Sequence, residues 1–231
     1  MSKVFTIAEI SSNWEGEIDK GKALIRACKN ANADAIKMQI WKAKELYLAD
    51  NPIWHQFPDL EKYELTFEKA KELKEYADCI GIEWFCTPTK PEHVDLLERL
   101  DVKKYKIRSA DYKNKELIEK VLKTGKDIFL SLPYGKRGFK SYPESFKLLY
   151  CIPEYPSAIN RLCLKNLDYF DGYSNHYPSI LPCLIAASRG AEIIETHVKF
   201  PDTISPDACC SITVEELMML VKEVRKIEVM L

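Results

Sequence analysis

Two of the four histidines, His176 and His197, each stand at the end of a short apolar run, and a helix-length segment separates the two runs. Such runs are typical of successive strands in a parallel sheet, whose carboxyl ends lie along one rim. Two imidazoles at that rim suit a divalent transition metal. The spacing therefore predicts a shared metal site. The alternative is that each histidine is an ordinary hydrogen-bonded residue at a strand end.

The elements that must position these histidines alternate between β-type and helical runs. The predicted strands are residues 4–9, 35–40, 82–87, 104–109, 127–131, 146–151, 170–174 and 192–197. The predicted helices are residues 18–30, 67–77, 91–100, 114–123, 180–189 and 214–229. Residues 132–145, between strands five and six, are rich in Gly, Pro and Lys, so the helix there is expected to be short or missing. Eight strands in strict alternation with helices predict an α/β protein, a single (β/α)8 TIM barrel forming one domain over residues 1–231, with a doubly wound open sheet as the alternative.

Polar side chains at the carboxyl ends of barrel strands converge on one face, where the chemistry of this fold takes place. The polar residues at or just after the predicted strand ends are Glu9, Lys37, Gln39, Thr87, Lys106, Ser109, Ser131, Tyr155, Ser174, His176 and His197. Lysines and hydroxyls that face one point suit phosphate and carboxylate oxygens, so they predict a phosphorylated and carboxylated ligand beside the metal. As alternatives, the lysines are solvated or ion-paired, Glu9 pairs with one of them structurally, and Ser131 only ends its strand.

Composition limits the function classes. The 231 residues are 46% apolar and can bury a large core, and 34 basic residues nearly balance 35 acidic ones. This balance gives no steering toward nucleic acid or an anionic membrane, and favours a small-molecule substrate. No apolar run is long enough to cross a bilayer and the first residues lack the layout of a signal peptide, so a cytoplasmic location is expected.

Cysteines and the remaining histidines complete the set of reactive side chains. The eight cysteines show no Cys-x-x-Cys spacing and are interpreted as reduced core residues, without a zinc knuckle or a disulfide framework.

The long aromatic segment 42–66 predicts a loop that covers the substrate or packs at a subunit interface. His55 in this segment and His93 in a predicted helix are interpreted as surface residues.

Eight short motifs, each at a predicted strand end and all in one order, carry a resemblance over nearly the whole chain. They are Ile7-Ala-Glu-Ile-Ser-Ser-Asn-Trp-Glu-Gly16, Ala33-Asp-Ala-Ile-Lys-Met-Gln39, Phe85-Cys-Thr-Pro88, Tyr105-Lys-Ile-Arg-Ser-Ala-Asp111, Leu148-Leu-Tyr-Cys151 with Tyr155-Pro156, Gly172-Tyr-Ser-Asn-His176, Ile194-Glu-Thr-His197, and Ser205-Pro-Asp207 with Ser211. With them the sequence resembles the N-acetylneuraminate (sialic acid) synthase family, whose members condense phosphoenolpyruvate with an aldose in a metal-dependent barrel.

The resemblance implies a carbon–carbon bond-forming transferase that makes a nonulosonic or related 3-deoxy-2-keto sugar acid and phosphate from phosphoenolpyruvate and an aldose like N-acetylmannosamine. It implies His176 and His197 as ligands of a divalent metal, Mn²⁺ or Mg²⁺, and Glu9 and Asp207 as catalytic carboxylates. The residues that it places around phosphoenolpyruvate are Lys37, Gln39, Thr87, Lys106, Ser109, Ser131, Tyr155 and Ser174. Its expected partners are these small molecules, with a homodimer as one expectation and neither nucleic acid nor a membrane.

The chain also departs from the family pattern. Trp14 and Tyr150 stand where histidines are usual, Asn175 replaces an aspartate, Leu132-Pro133 alters the turn after strand five, and Pro153 replaces an asparagine near the phosphate. Members usually carry a C-terminal antifreeze-like domain, whereas this sequence ends at Leu231, so acceptor recognition is expected to differ or to come from elsewhere. Two alternatives stay open: another metal-dependent sugar aldolase or isomerase, and a degenerate barrel that binds a sugar acid or a partner without turnover.

Overall fold

Eight parallel strands close into a barrel in the computed structural model, which describes residues 3–47, 54–136 and 142–231. The strands are β1 Phe5–Glu9, β2 Ala35–Ile40, β3 Glu83–Pro88, β4 Lys104–Ile107, β5 Asp127–Pro133, β6 Phe146–Cys151, β7 Gly172–Asn175 and β8 Ile193–Lys199. Each pairs with the next, and β1 also pairs in parallel with β8, which closes the barrel. The predicted TIM barrel is confirmed and the open sheet is wrong. A two-residue strand, β9 Ile212–Thr213, extends the sheet from the end of β8.

Helices cover most of the outer face of the barrel. They are α1 Ile18–Asn30, α2 Ala43–Tyr47, α3 Phe67–Cys79, α4 Pro91–Arg99, α5 Lys115–Leu122, α6 Leu181–Ser188 and α7 Val214–Met230. Capping residues stabilise the N-terminal ends of three helices. Thr66 caps α3, Asn114 caps α5, and Thr213 with Glu216 forms a capping box on α7. That residues 1–231 form one domain stays a prediction.

The regular alternation of strands and helices breaks between β5 and β7. No helix occurs in the described residues between β5 and β6, in agreement with the expected short or missing helix. Between β6 and β7 the connection contains only the 3₁₀ helices Ile159–Arg161 and Leu164–Tyr169, so strict alternation was wrong there. Two prolines, Pro153 and Pro156, open this connection and oppose an α-helix.

Side chains inside the barrel follow the period of two that strands impose. An apolar layer fills the middle of the barrel and consists of Ile7, Ala35, Phe85, Phe129, Leu149 and Ile193. Gly172 is in register with Leu149 and Ile193 and lies at the same level, where an added Cβ would stand 2.3 Å from the Ile193 carbonyl oxygen. Two residues further along, the strands carry polar side chains such as Glu9 and Lys37. The polar layer therefore rests on a closed apolar floor.

Two expectations are corrected. His93 is 5% exposed rather than on the surface, because it lies on the buried face of α4 with Nδ1 3.2 Å from the Thr89 hydroxyl. All eight cysteines are free, but Cys79 and Cys209 are exposed rather than core residues. Among the described residues, no helix combines the length and apolar character needed to span a bilayer. The cytoplasmic location stays a prediction.

Candidate active site

One side of a narrow cleft at the carboxyl end of the barrel consists of two lysines and two glutamates, Lys37, Lys106, Glu9 and Glu195, here called the lysine side. Lys37 pairs with Glu9, and its ammonium lies 3.7 Å from the Glu195 carboxylate. Lys106 lies 3.8 Å from the other oxygen of Glu195. Each of these side chains is at most 4% exposed. A buried charge is costly unless it is paired with a charge of opposite sign, and each of the four has such a partner.

Hydroxyl groups surround the two ammonium groups. Lys37 donates to the Thr87 hydroxyl at 3.1 Å, and Lys106 donates to the Ser131 hydroxyl at 2.8 Å. Ser174 donates to Glu195 at 2.8 Å. Thr87, Ser131 and Ser174 are all buried, so the lysine side is a closely bonded network of alternating donors and acceptors.

Burial and neighbouring charges act in opposite directions on the pKa values of this network. Burial raises the pKa of Glu195, but Lys106 and Lys37 outweigh it and bring that pKa down to about 2. Burial also opposes the charge of Lys37, yet Glu195 and Glu9 raise its pKa above the ordinary value. The pKa of Lys106 is lowered by burial and by Lys37. Burial raises the pKa of Glu9 against the pull of Lys37, which suits a group that exchanges protons.

A second group of side chains at the cleft consists of His176 and His197, with Asp207 and Cys210 close to His197, and is here called the histidine side. The two imidazole rings lie 5.4 Å apart between centroids. The Tyr155 ring stacks on His176 at 4.1 Å and meets the edge of His197 at 5.9 Å. The predicted pair of histidines is thus brought together at one rim, with Tyr155 against both rings.

His176 has a fixed tautomer. Its Nδ1 lies 2.8 Å from the carbonyl oxygen of Ile152, which can only accept, so Nδ1 carries the hydrogen and Nε2 carries the lone pair. Burial, and then His197, lower the pKa of His176 to about 3, which keeps the ring neutral. Neutral imidazoles whose second nitrogen donates to a carbonyl are typical metal ligands.

Two loops position Asp207 beside His197. Asp207 follows β8 in a 3₁₀ helix, Pro206–Cys210, and one of its carboxylate oxygens accepts from the backbone nitrogen of Ser12 at 3.0 Å and from the Ser12 hydroxyl at 2.5 Å. Its other oxygen lies 4.0 Å from Nδ1 of His197. Asn13 accepts a hydrogen bond from the Ser205 hydroxyl at 2.6 Å, so the loops after β1 and β8 are bonded to each other.

Comparison with known proteins identifies the family once this geometry is described. A protein-family model described as "NeuB family" matches residues 24–231, which is most of the chain. The chain belongs to the NeuB family. It is 32% identical to N,N'-diacetyllegionaminic acid synthase of Campylobacter jejuni over 99% of this chain and 77% of that protein. It is 29% identical to N-acetylneuraminate-9-phosphate synthase of Mus musculus over 97% of this chain and 70% of the relative.

Among solved structures, the NeuB-family barrel is similar to the N-acetylneuraminic acid (sialic acid) synthetase of Leptospira borgpetersenii, crystallised with citrate. The TM-score is 0.85 at 26% identity, over 99% of this chain and 85% of that chain. These relatives confirm the resemblance to sialic acid synthases and the prediction of a carbon–carbon bond-forming transferase.

The predicted site residues fall into three groups in this NeuB-family chain. The cleft is lined by Lys37, Gln39, Lys106, Ser109, Ser131, Tyr155, Ser174, His176 and His197. Thr87 and Glu9 lie directly behind Lys37, and Gln39 donates to Glu9 at 3.3 Å. Asp207 lies behind His197. The structure thus brings all of these residues to one end of the barrel, whereas their roles toward a substrate stay predictions.

Four residues at the site were missed by the sequence analysis. Glu195 had a readable signal, since it is a charged residue two positions before His197 and so shares its inward face. Cys151, two positions after Leu149 on β6, lines the cleft by the same rule. Arg108 lines the cleft just after β4, and its guanidinium pairs with Asp111. Cys210 lies in the 3₁₀ helix Pro206–Cys210, which no hydrophobic period in the sequence predicts.

The side chains present fit a metal ion. Nδ1 of His197 is buried and has no hydrogen-bond partner, although Asp207 faces it. Within the described part of the chain, one group of three potential ligands stands close together, His197, Asp207 and Cys210, with ligand atoms within 4.8 Å of one another. A buried nitrogen with an unused lone pair or proton is costly unless a ligand satisfies it.

Proposed function

We propose that this protein condenses phosphoenolpyruvate with an aldose like N-acetylmannosamine, giving a nonulosonic or related 3-deoxy-2-keto sugar acid and phosphate. The observation that carries the proposal is the pair of buried ammonium groups, Lys37 and Lys106, above an apolar floor and beside the histidine side. The names of the relatives, which are synthases of legionaminic, N-acetylneuraminic and related acids, support the same reaction class.

Phosphoenolpyruvate fits the lysine side because it carries a carboxylate and a phosphate on the same carbon atom. On binding, its oxygens take over the hydrogen bonds that Lys37, Lys106 and Ser131 now make within the protein. Charge-assisted hydrogen bonds of this kind are stronger than neutral ones, and they hold the enol carbon toward the histidine side. Ser109 and Ser174 offer further hydroxyl groups at the same level.

The histidine side suits a divalent metal, which His176 and His197 would hold as the sequence predicts. When bound, such a metal acts as a Lewis acid that polarises a carbonyl group. The protein's own groups place the aldehyde beside the enol carbon, hold the His176 ring neutral, and keep the surroundings dry below the cleft.

The proposed reaction balances without a further reactant. The enol carbon bonds to the aldehyde carbon, water adds to the neighbouring cationic carbon, and the bond between that carbon and the phosphate oxygen breaks. One proton of the water ends on the new hydroxyl group and the other on phosphate. Glu9, whose pKa burial raises, is placed to pass a proton at this water, and Asp207 is the second carboxylate near the acceptor.

The direct test is phosphate release from phosphoenolpyruvate with Mn²⁺ or Mg²⁺ and a panel of aldoses. With ¹⁸O-labelled water, the label is expected in the keto acid rather than in phosphate, because the bond to carbon breaks. Lys106→Met should lower kcat/KM by about 10²-fold or more, since it removes a buried charge-assisted contact.

Lys104→Met is the matched control. Lys104 lies on the same strand and pairs with Glu83 at 2.7 Å, at the opposite end of the barrel. Its substitution should leave turnover within about twofold, as for a partly exposed ion pair away from the site. No phosphate release with any aldose, or an equal loss in both variants, would contradict the proposal.

A further inference from the structure

We propose that the Cys210 thiol joins His197 and Asp207 as a metal ligand, and that this chain therefore selects a thiolate-binding cation such as Zn²⁺ over Mg²⁺. The inference rests on the proposed function only for the task that the metal performs. The ligand set itself rests on the geometry around Nδ1 of His197, and it differs from the predicted pair His176 and His197 because His176 is not part of this group of close ligand atoms.

Local structure places Cys210 and Asp207 on the same side of their loop. Both belong to the 3₁₀ helix Pro206–Cys210, in which side chains three residues apart lie directly above one another. Cys210 has no exposed surface, and Asp207 is 2% exposed. The Cys210 thiol donates to the Asp207 carbonyl oxygen at 3.2 Å, so its sulfur is held against the same turn.

The partner that this pair faces is the unsatisfied nitrogen of His197. Nδ1 is buried, lacks a hydrogen bond and lies 4.0 Å from the Asp207 carboxylate. The ligand atoms of the three residues lie within 4.8 Å of one another. A tetrahedral metal at about 2.0–2.3 Å from its ligands separates them by about 3.5 Å, so an inward rotation of about 1 Å completes the site.

Ligand chemistry sets the choice of metal. One nitrogen, one carboxylate oxygen and one sulfur form a mixed set that suits Zn²⁺ and, in spectroscopy, Co²⁺. Mg²⁺ prefers oxygen ligands and has little affinity for a thiolate. Coordination requires the thiolate, so the thiol proton leaves to solvent as the metal binds.

Cys209 provides a matched control from the next position in the chain. It is exposed, and its sulfur contacts the Pro206 carbonyl and the neighbouring Cys210 thiol, but it is not one of the three close ligand groups. A substitution there removes one thiol from the same turn and leaves the three proposed ligands in place.

The experiment titrates Co²⁺ into the metal-free full-length protein and follows near-ultraviolet absorption, where thiolate-to-Co²⁺ charge transfer appears. The wild-type protein and Cys209→Ala should both show the band. Cys210→Ala and the size-conserving Cys210→Ser should both lose it, with circular dichroism confirming that each variant is folded. A wild-type protein without the band, or a band that persists in both Cys210 variants, would overturn the inference.

Calorimetry then measures selectivity. Cys210→Ala should raise the dissociation constant for Zn²⁺ by about tenfold or more, since loss of even an indirect partner has that effect. The constant for Mg²⁺ should change much less, and Cys209→Ala should change neither. Equal weakening of both metals would mean that Cys210 supports the fold of the turn and is not a ligand.

Phosphate release, measured separately, distinguishes the two proposals. A Cys210-dependent band in a protein without turnover would retain the metal site and reject the proposed reaction. Turnover in a protein without the band would retain the reaction and leave Asp207 only to orient His197.

Discussion

The two sides of the cleft satisfy their polar atoms in different ways. On the lysine side, Lys37 and Lys106 each pair with a buried carboxylate of the same chain, and Oε2 of Glu195, which is buried without a hydrogen bond, lies 3.7 Å from the Lys37 ammonium. On the histidine side, Nδ1 of His197 is buried without a hydrogen bond, and the nearest carboxylate stands 4.0 Å away. The lysine side is therefore stabilised by the protein itself, whereas the histidine side is completed by what binds there. Substitutions should accordingly affect folding most on the first side and ligand binding most on the second.

The largest effect on stability is expected for Glu195→Gln. Glu195 faces both buried ammonium groups, so its neutral replacement leaves two positive charges with one carboxylate between them. Removing one partner of a buried ion pair costs about 3–5 kcal/mol, and the free energy of unfolding should fall by that amount. Urea unfolding followed by circular dichroism measures it.

Glu192→Gln is the control for this change. Glu192 precedes β8 and pairs with Lys147 at 3.1 Å, with its side chain 49% exposed. An exposed pair contributes at most about 1 kcal/mol, so the control should differ little from the wild type. If Glu195→Gln costs no more than the control, the lysine side is not self-stabilised and the contrast between the two sides fails.

Sequence patterns were sufficient for the barrel because a period of two and a period of 3.6 are local properties. All eight strands were located, with β5 and β8 each reaching two residues further than predicted, to Pro133 and Lys199. The prediction of strict alternation was wrong after β6. Pro153 and Pro156 oppose an α-helix there, and the chain forms two 3₁₀ helices instead. Such turns carry no hydrophobic period that could predict them.

The candidate site was predictable where its residues end strands. Lys37, Lys106, His176 and His197 were found by residue type and position, and the structure brings them to one end of the barrel. Glu195 was missed because it lies within an apolar-looking strand, although its spacing from His197 could have revealed it. The position of Cys210 depends on how two loops bond to each other through Ser12 and Asp207, and no local pattern encodes that distance.

A smaller effect should appear in the pH dependence of the metal-free protein. The pKa of His176 is about 3 in the folded protein against 6.5 for a free histidine, so below pH 6.5 the unfolded chain binds a proton that the folded one rejects. Stability should therefore fall as the pH is lowered from 6.5, by up to about 1.4 kcal/mol per pH unit.

His176→Gln removes this contribution, and the measurement compares the slopes of unfolding free energy of the two proteins between pH 6.5 and 5 in a chelator. This window lies above the range in which Glu195, with its pKa lowered to about 2 from 4.5, begins to lose its charge. Burial lowers the pKa of His93 and raises that of Glu9, but both groups are shared by the two proteins. Equal slopes would show that His176 titrates normally and that its ring is not held neutral.

The smallest effect is expected from Tyr155, which packs on the histidine side without carrying charge. Tyr155→Leu removes a ring that stacks on His176 at 4.1 Å, an interaction of about 0.5–1.5 kcal/mol, whereas Tyr155→Phe retains the ring. His176 keeps its bond to the Ile152 carbonyl in both variants, so its orientation is loosened rather than lost. Urea unfolding should place Tyr155→Phe within about 0.5 kcal/mol of the wild type, the usual range for a minor change. A Tyr155→Leu loss as large as that of Glu195→Gln would mean that packing by the protein, rather than a bound ligand, completes the histidine side.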